Sequence, residues 1–301
     1  MRTSLLALLL LAAVGYTCGY KPVVLVHGAF GDNKGLNRMK RFIKREHPGT
    51  KVVVPNLFSN RGSMMPMWRQ IQGYGLAVKK LAKKFPNGFH LLCFSQGGLV
   101  CRGVLSLLPK HKVHNFIALA SPLAGQFGEA FNVQRLFPNI EGDAYKICYN
   151  PVGQQVSICN YWKDPRHIRR YLKKNTFLPV LNGEVNHKRK KAWKKNFLRI
   201  KKLVLIGGPA DDVITPWQSS IFGFYDKNKN VVPMRKQKIY KKDTFGLKTL
   251  DKRGDIEECI LPKVTHGGWI NRRVRRNISG CPEGSGETSL GARKVLRNIS
   301  D

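Results

Sequence analysis

The sequence predicts an α/β fold with a mostly parallel central sheet and a cap-like insertion over one end of that sheet. Short β-branched runs alternate with amphipathic helical segments along most of the 301-residue chain, which is typical of successive strand–helix–strand units. Residues 123–200 break this alternation, because they are rich in aromatic and polar side chains and show no clear strand pattern. We therefore expect one domain that carries an insertion, not two separate domains.

The first 122 residues contain four predicted strands and three predicted helices. Each strand is a short apolar run, typical of strands buried on both faces. Each helix has apolar side chains three or four positions apart, so that they share one face. The predicted strands are 21–28, 51–58, 88–95 and 114–122, and the predicted helices are 35–49, 66–85 and 96–108.

The rest of the chain adds two predicted strands, 202–209 and 258–264, and one strongly basic segment. In that segment, residues 187–202, three apolar side chains recur at helical spacing among nine lysines and arginines and no acid. This pattern predicts an amphipathic helix. Its basic face is either a solvated surface or a contact with an anionic membrane, and the sequence leaves both interpretations open.

The N-terminus has the pattern of a secretory signal peptide over residues 1–19, since one arginine precedes a short apolar run that small residues follow. We expect the mature domain to span 20–285 and residues 286–301 to form a flexible tail. Removal of the leader leaves six cysteines, an even number that suggests three disulfides in a secreted protein. Many pairings are open, and the simplest joins neighbours along the chain: Cys93–Cys101, Cys148–Cys159 and Cys259–Cys281.

The net charge and the predicted leader limit the kinds of molecule that the protein is expected to bind. Lysine and arginine number 53 against 18 acidic residues, which gives a formal net charge of +35 and predicts attraction to polyanions. A leader to the secretory pathway makes peripheral contact with anionic membranes the expected form of that attraction, and no nucleic-acid partner is expected. Two glycosylation sequons begin at Asn277 and Asn298.

Ser95 lies where a predicted strand meets a predicted helix, in the stretch HLLCFSQGGLV. A nucleophile elbow turns sharply at such a junction and requires small residues two positions before and after the serine. Cys93 and Gly97 meet that requirement here. The competing interpretation is an ordinary Ser-Gly turn at the start of a helix.

The other parts of a serine-hydrolase site follow in the order expected of an elbow fold. The backbone amides of Gln96 and Ala29 are the candidate oxyanion donors, because one follows the nucleophile and the other follows the first strand. Asp211 is the favoured acid, with Asp212 as the alternative, since both come just after a late strand. His266 is the candidate base, because it alone among the eight histidines follows both the serine and the two aspartates.

Several long motifs resemble the lysosomal palmitoyl-protein thioesterases, and most closely their type 2 branch, over about residues 20–270. They are CFSQGGLVCR, SICNYWKDP, KNFLR, GGPADDVITPWQSSIFGFYD and FGLKTL. The resemblance implies an α/β-hydrolase fold and hydrolysis of long-chain fatty-acyl thioesters without a metal or cofactor. It also implies Ser95, Asp211 and His266 as the catalytic triad and the three neighbour disulfides given above.

The resemblance further implies a lysosomal or secreted enzyme whose partner is a fatty-acyl thioester. Two other interpretations stay open on the residues alone. The same triad serves lipases and carboxylesterases that act on oxygen esters. A polyanion-binding protein with an inactive triad would also account for the charge.

Overall fold

The computed structural model describes residues 20–128 and 144–270. The predicted signal peptide, Cys281, both sequons and the predicted tail lie outside these residues, as do residues 129–143 of the predicted insertion. None of the helices in the described ranges is long and apolar enough to cross a bilayer.

Within the described ranges, six parallel strands form the central sheet, which confirms the predicted fold class. Their order in the sheet is β2-β1-β3-β4-β5-β8, and every neighbouring pair is parallel. The four inner strands consist almost entirely of buried residues, because helices cover both faces of the sheet. The strands are β1 Val23–Val26, β2 Val52–Val53, β3 Phe89–Phe94, β4 Val113–Leu119, β5 Lys202–Gly207 and β8 Ile256–Ile260.

Three long helices separate the early strands. The first, α1 (Asn37–Glu46), buries Met39 and Ile43, which lie one turn apart on one face. The second, α2 (Met67–Lys84), and the third, α3 (Gln96–Leu107), pack against each other. Eleven of the twelve residues of α3 are buried, so this helix forms the centre of one layer. A helix that is apolar on all sides is expected at such a position.

The described part of the predicted insertion contains short helices and no strand. These helices are α4 Ala144–Cys148, α5 Ser157–Tyr161, α6 Ile168–Lys174, α7 Leu178–Leu181 and α8 Lys190–Phe197. After β5 the chain forms a small antiparallel hairpin that the sequence analysis did not predict, and two further short helices lead to β8. These elements are β6 Phe224–Tyr225, β7 Val231–Val232, α9 Lys238–Lys241 and α10 Leu247–Lys252.

The basic segment 187–202 is helical over only half its length. Helix α8 begins at Lys190 and ends at Phe197. The guanidinium of Arg253 donates to the carbonyls of Leu198 and Ile200, each at 3.2 Å. These two carbonyls therefore accept hydrogen bonds from a side chain, and helix α8 ends before β5 begins.

Two of the predicted neighbour disulfides are present, Cys93–Cys101 and Cys148–Cys159. The first joins β3 to α3 directly beneath the strand–helix junction. The second joins α4 to α5 within the insertion. Cys259 is also disulfide-bonded, whereas Cys281, its predicted partner, lies outside the described residues.

Candidate active site

Four strands of the parallel sheet end at one edge, and each is followed by a candidate site residue. β1 leads to Ala29, β3 to Ser95, β5 to Asp211 and β8 to His266. The chain order reverses between β1 and β3, since β2 lies on one side of β1 and β3 on the other. Ligand sites in open parallel sheets form at the carboxyl ends of the strands beside such a reversal.

Ser95 adopts the strained backbone of an elbow, with φ 54° and ψ −130°. Positive φ is rare for a residue with a side chain and marks functional positions when the surroundings enforce it. The neighbouring backbones approach so closely that only glycine fits beside the turn. A Cβ at Gly97 would lie 2.6 Å from the His27 carbonyl oxygen, and one at Gly28 would lie 2.6 Å from the Cβ of Ser95.

Ser95, His266 and Asp211 form one hydrogen-bonded series. His266 Nε2 lies 3.0 Å from Ser95 Oγ, and His266 Nδ1 lies 3.0 and 3.1 Å from the two carboxylate oxygens of Asp211. An ionised carboxylate only accepts hydrogen bonds, so the Nδ1–H donates to Asp211 and Nε2 accepts from the serine hydroxyl. All three side chains are almost fully buried, and the ring of Phe94 packs against the imidazole with centroids 4.9 Å apart.

The two aspartates after β5 have different partners. Asp211 Oδ1 also accepts from the backbone amides of Val213 and Ile214, at 3.0 and 2.9 Å. Asp212 does not reach the imidazole in this arrangement. Its Oδ1 accepts from the backbone N–H of His266 at 2.9 Å. Asp211 therefore orients the ring of the histidine, and Asp212 holds its main chain.

The amides of Ala29 and Gln96 belong to the two segments that meet at Ser95. Gln96 is the first residue of α3, where N–H groups have no intrahelical acceptor and the helix dipole favours negative charge. Ala29 follows Gly28, which is in contact with Ser95. Within the described parts of the chain, the Ala29 N–H has no acceptor, which leaves it available to a ligand.

Ser63 connects the Ala29 loop to the elbow, and sequence analysis missed it. Its hydroxyl accepts from the backbone N–H of Phe30 at 2.7 Å and donates to the carbonyl of Asn60 at 2.6 Å. Its carbonyl oxygen accepts from three side chains of other elements. These are Gln70 at 2.7 Å, Gln96 at 2.7 Å and Ser157 at 3.0 Å.

Tyr161 completes this buried polar group from the insertion. Its hydroxyl donates to Gln96 Oε1 at 3.1 Å, and burial raises the pKa of Tyr161, so the hydroxyl keeps its proton. Gln96 Nε2 also donates to Gln70 Oε1 at 3.2 Å, so its side chain is fixed by α2, by α5 and by Ser63. Hydrogen bonds of this kind hold a catalytic loop in place when no water can compete for the same groups.

We expect Ser63→Ala to lower kcat by about tenfold to a hundredfold, because the Phe30 N–H loses its acceptor and the adjacent Ala29 amide is no longer held in place. KM and the unfolding temperature should change little. Steady-state kinetics on a soluble thioester and thermal unfolding check this. The matched control is Ser59→Ala, which removes an exposed hydroxyl bound only to Asn56. An unchanged kcat, or equal losses in both variants, would contradict a positioning role.

The apolar side chains that could line an acyl groove are buried. Phe127 packs against Trp162 with ring centroids 5.6 Å apart, and Phe177 packs against Trp68 at 5.0 Å. In residues 20–128 and 144–270, no group of three or more histidine, cysteine or acidic side chains is placed to hold a metal ion.

Comparison with known proteins identifies close relatives. The family model described as palmitoyl protein thioesterase matches residues 22–266. The lysosomal thioesterase PPT2 of Homo sapiens is 49% identical over 271 residues, which are 89% of this chain and 90% of that protein. The Rattus norvegicus protein of the same name is 50% identical over 256 residues, 85% of each chain. A Drosophila melanogaster homologue is 38% identical over 89% of this chain and 93% of its own length.

Among solved structures, the chain resembles Aspergillus fumigatus lipase B with a TM-score of 0.52. The match covers 95% of this chain and 58% of the lipase, at 13% sequence identity. At that identity the likeness concerns the fold, which is the α/β-hydrolase fold.

Proposed function

The chain belongs to the palmitoyl protein thioesterase family and is a thioester hydrolase of that type, and we propose that Ser95, His266 and Asp211 carry out the hydrolysis. The observation that supports these roles is the continuous hydrogen-bonded series from Ser95 Oγ through the imidazole to Asp211. A nucleophile, a base and a group that orients the base are the parts that acyl transfer by a serine enzyme requires.

Acylation begins when His266 Nε2 takes the hydroxyl proton as Ser95 Oγ attacks the thioester carbonyl. The carbonyl oxygen becomes an oxyanion, which the amides of Ala29 and Gln96 stabilise. Each such donor often contributes about 3 kcal/mol. The carbon–sulfur bond then breaks, the acyl group stays on Ser95, and the imidazolium gives its proton to the departing thiolate, which leaves His266 neutral for the second half of the reaction. A thiol has a pKa of about 8.5, so the sulfur leaves with less help from a proton donor than an alkoxide needs.

Deacylation repeats these steps with water. His266 takes a proton from the water, the resulting hydroxide attacks the acyl carbon, and Ser95 leaves with the proton that the imidazole returns. Asp211 stabilises the imidazolium during both acylation and deacylation, and it keeps the proton on Nδ1. The products are a fatty acid and a free thiol.

We infer that the substrate is a long-chain fatty-acyl thioester, either an S-acyl group or an acyl-CoA, and that the enzyme works in the lysosome. Relatives named palmitoyl-protein thioesterase 3 in Dictyostelium discoideum and palmitoyl-protein thioesterase 1 in Caenorhabditis elegans support the substrate class. Lysosomal relatives support the location. The net charge of +35 supports peripheral contact with anionic membranes, where such substrates are found.

A fluorophosphonate probe and a pair of matched esters test this proposal. The probe should label Ser95, as peptide mass mapping would show. The sulfur ester should be hydrolysed faster than the oxygen ester with the same acyl chain. Faster turnover of the oxygen ester would indicate a lipase or carboxylesterase instead. Failure of the probe to label Ser95 in folded protein would contradict the proposed triad.

A further inference from the structure

Helix α6 presents an unusual surface for a water-soluble helix. Only Tyr171 of its seven residues is buried. Ile168 and Leu172 lie one turn apart and are 38% and 36% exposed. The remaining four residues are cations, Arg169, Arg170, Lys173 and Lys174. In residues 20–128 and 144–270, no acidic side chain lies within salt-bridge distance of these four.

A neighbouring loop extends this surface. Val152 is 78% exposed, and the adjacent Pro151 lines the same shallow cavity as Lys174 of α6. The ring of Tyr149 lies 6.5 Å from that of Tyr171. The loop therefore packs beside α6 through Tyr149 and Pro151, and Val152 follows directly in the chain.

A series of contacts connects α6 to the catalytic edge of the sheet. The acid loop that contains Asp211 is joined to the insertion, because the Thr215 carbonyl accepts from the Phe127 N–H at 2.8 Å. Phe127 lies beneath the guanidinium of Arg166, which is 5.2 Å from the ring centroid. Arg166 belongs to the single turn Pro165–His167, and α6 follows that turn directly.

The basic helix α8, for which the sequence left membrane contact open, ends beside the part of α3 farthest from Ser95. Asn196 of α8 donates to the carbonyl of Ser106, near the far end of α3. Ser106 is eleven residues after Ser95, which corresponds to roughly 16 Å along a helix. Two of the lysines of α8 also bind the protein itself, since Lys190 Nζ donates to the Gly183 carbonyl and Lys194 Nζ to Asp243.

We propose that α6 together with Val152 is the surface on which this enzyme docks to an anionic lipid bilayer. The four cations contact lipid phosphates, and Ile168, Leu172 and Val152 enter the headgroup region, as in other interfacial helices. Docking through α6 brings to the membrane the insertion, which contacts the acid loop through Phe127 and Thr215. The inference rests on the proposed function only in taking the acyl thioester to be membrane-borne.

Two clusters of equal charge allow a matched test by vesicle co-sedimentation. One variant replaces Arg169, Arg170, Lys173 and Lys174 with glutamine. The control replaces the exposed side chains of Lys188, Arg189, Lys191 and Lys195. Both lose four charges, so the long-range attraction of the whole chain falls equally. We expect the α6 variant to bind phosphatidylserine-containing vesicles at least about tenfold more weakly, and the control to bind within about twofold of wild type.

The apolar part of the surface is tested with Ile168→Ser combined with Leu172→Ser. This variant should also bind the anionic vesicles more weakly. Leu76→Ser, which changes a leucine that is 66% exposed on α2, should bind as wild type does. Equal losses for the two charge clusters, or a loss confined to the α8 cluster, would overturn the proposal. So would binding to purely zwitterionic vesicles that matches binding to anionic ones.

Failure of docking and failure of the enzymatic proposal give different results. Ser95→Ala should bind vesicles normally and hydrolyse nothing. The α6 variants should hydrolyse a short soluble thioester at the wild-type rate and lose activity only on an acyl thioester held in vesicles. A loss of soluble activity in the α6 variants would show that the changes disturb the fold or the site, and would contradict a docking role.

Discussion

Replacement of Ser95 by alanine is expected to lower kcat on an acyl thioester by about 10⁶-fold, because no other group near His266 can form the acyl-enzyme. His266→Ala should cause a loss of similar size, and the double variant should lose little more than either single one. Members of a triad act as a unit, so their effects do not add. Steady-state kinetics on one soluble thioester measures kcat for all three variants.

The control for this prediction is Ser106→Ala, which removes the buried hydroxyl of a serine within α3. That hydroxyl only donates to the carbonyl of Arg102. The control variant should retain nearly full activity. Circular dichroism and thermal unfolding should show that Ser95→Ala is folded. Substantial turnover by folded Ser95→Ala, or losses that multiply in the double variant, would show that Ser95 and His266 do not work together.

Asp211→Asn is expected to lower kcat by about 10⁴-fold. An asparagine amide in this position favours the wrong tautomer of the histidine, so Nε2 carries the proton and cannot accept one from Ser95. Asp212→Asn should lose less than about tenfold, because its amide oxygen still accepts the His266 backbone N–H. The kinetics of these two neighbouring Asp→Asn variants thus separate the two roles. A reversed order of losses would assign the acid to Asp212.

The sequence predicted the six strands of the sheet and the candidate residues that follow four of them, because strands and the residues after them are read from local patterns. Choosing between Asp211 and Asp212 requires more than such patterns. The two residues are adjacent in one loop, and their side chains point in different directions. One carboxylate reaches the ring of His266 and the other its main chain, a difference set by the path of the loop that follows β5.

Ser63 could not be found from the sequence. It lies in the irregular stretch NRGSMM, where no hydrophobic period or motif marks it. Its partners Phe30 and Gln96 are each 33 positions away, on opposite sides along the chain. Hydrogen bonds between residues so far apart in the sequence follow from tertiary packing alone. The length of the basic helix was overestimated for a similar reason, since Arg253, from the other side of β5, binds the carbonyls after Phe197.

The edge position of β8 affects how the enzyme is made in the cell. Among residues 20–128 and 144–270, this strand pairs only with β5, and it delivers His266 to a serine that lies 171 positions earlier. At usual rates of translation, roughly 10 to 30 seconds separate the synthesis of these two residues. The elbow, its disulfide and the inner strands can form during that interval without a base beside Ser95. The nascent chain is therefore inactive towards thioesters until β8 joins the sheet.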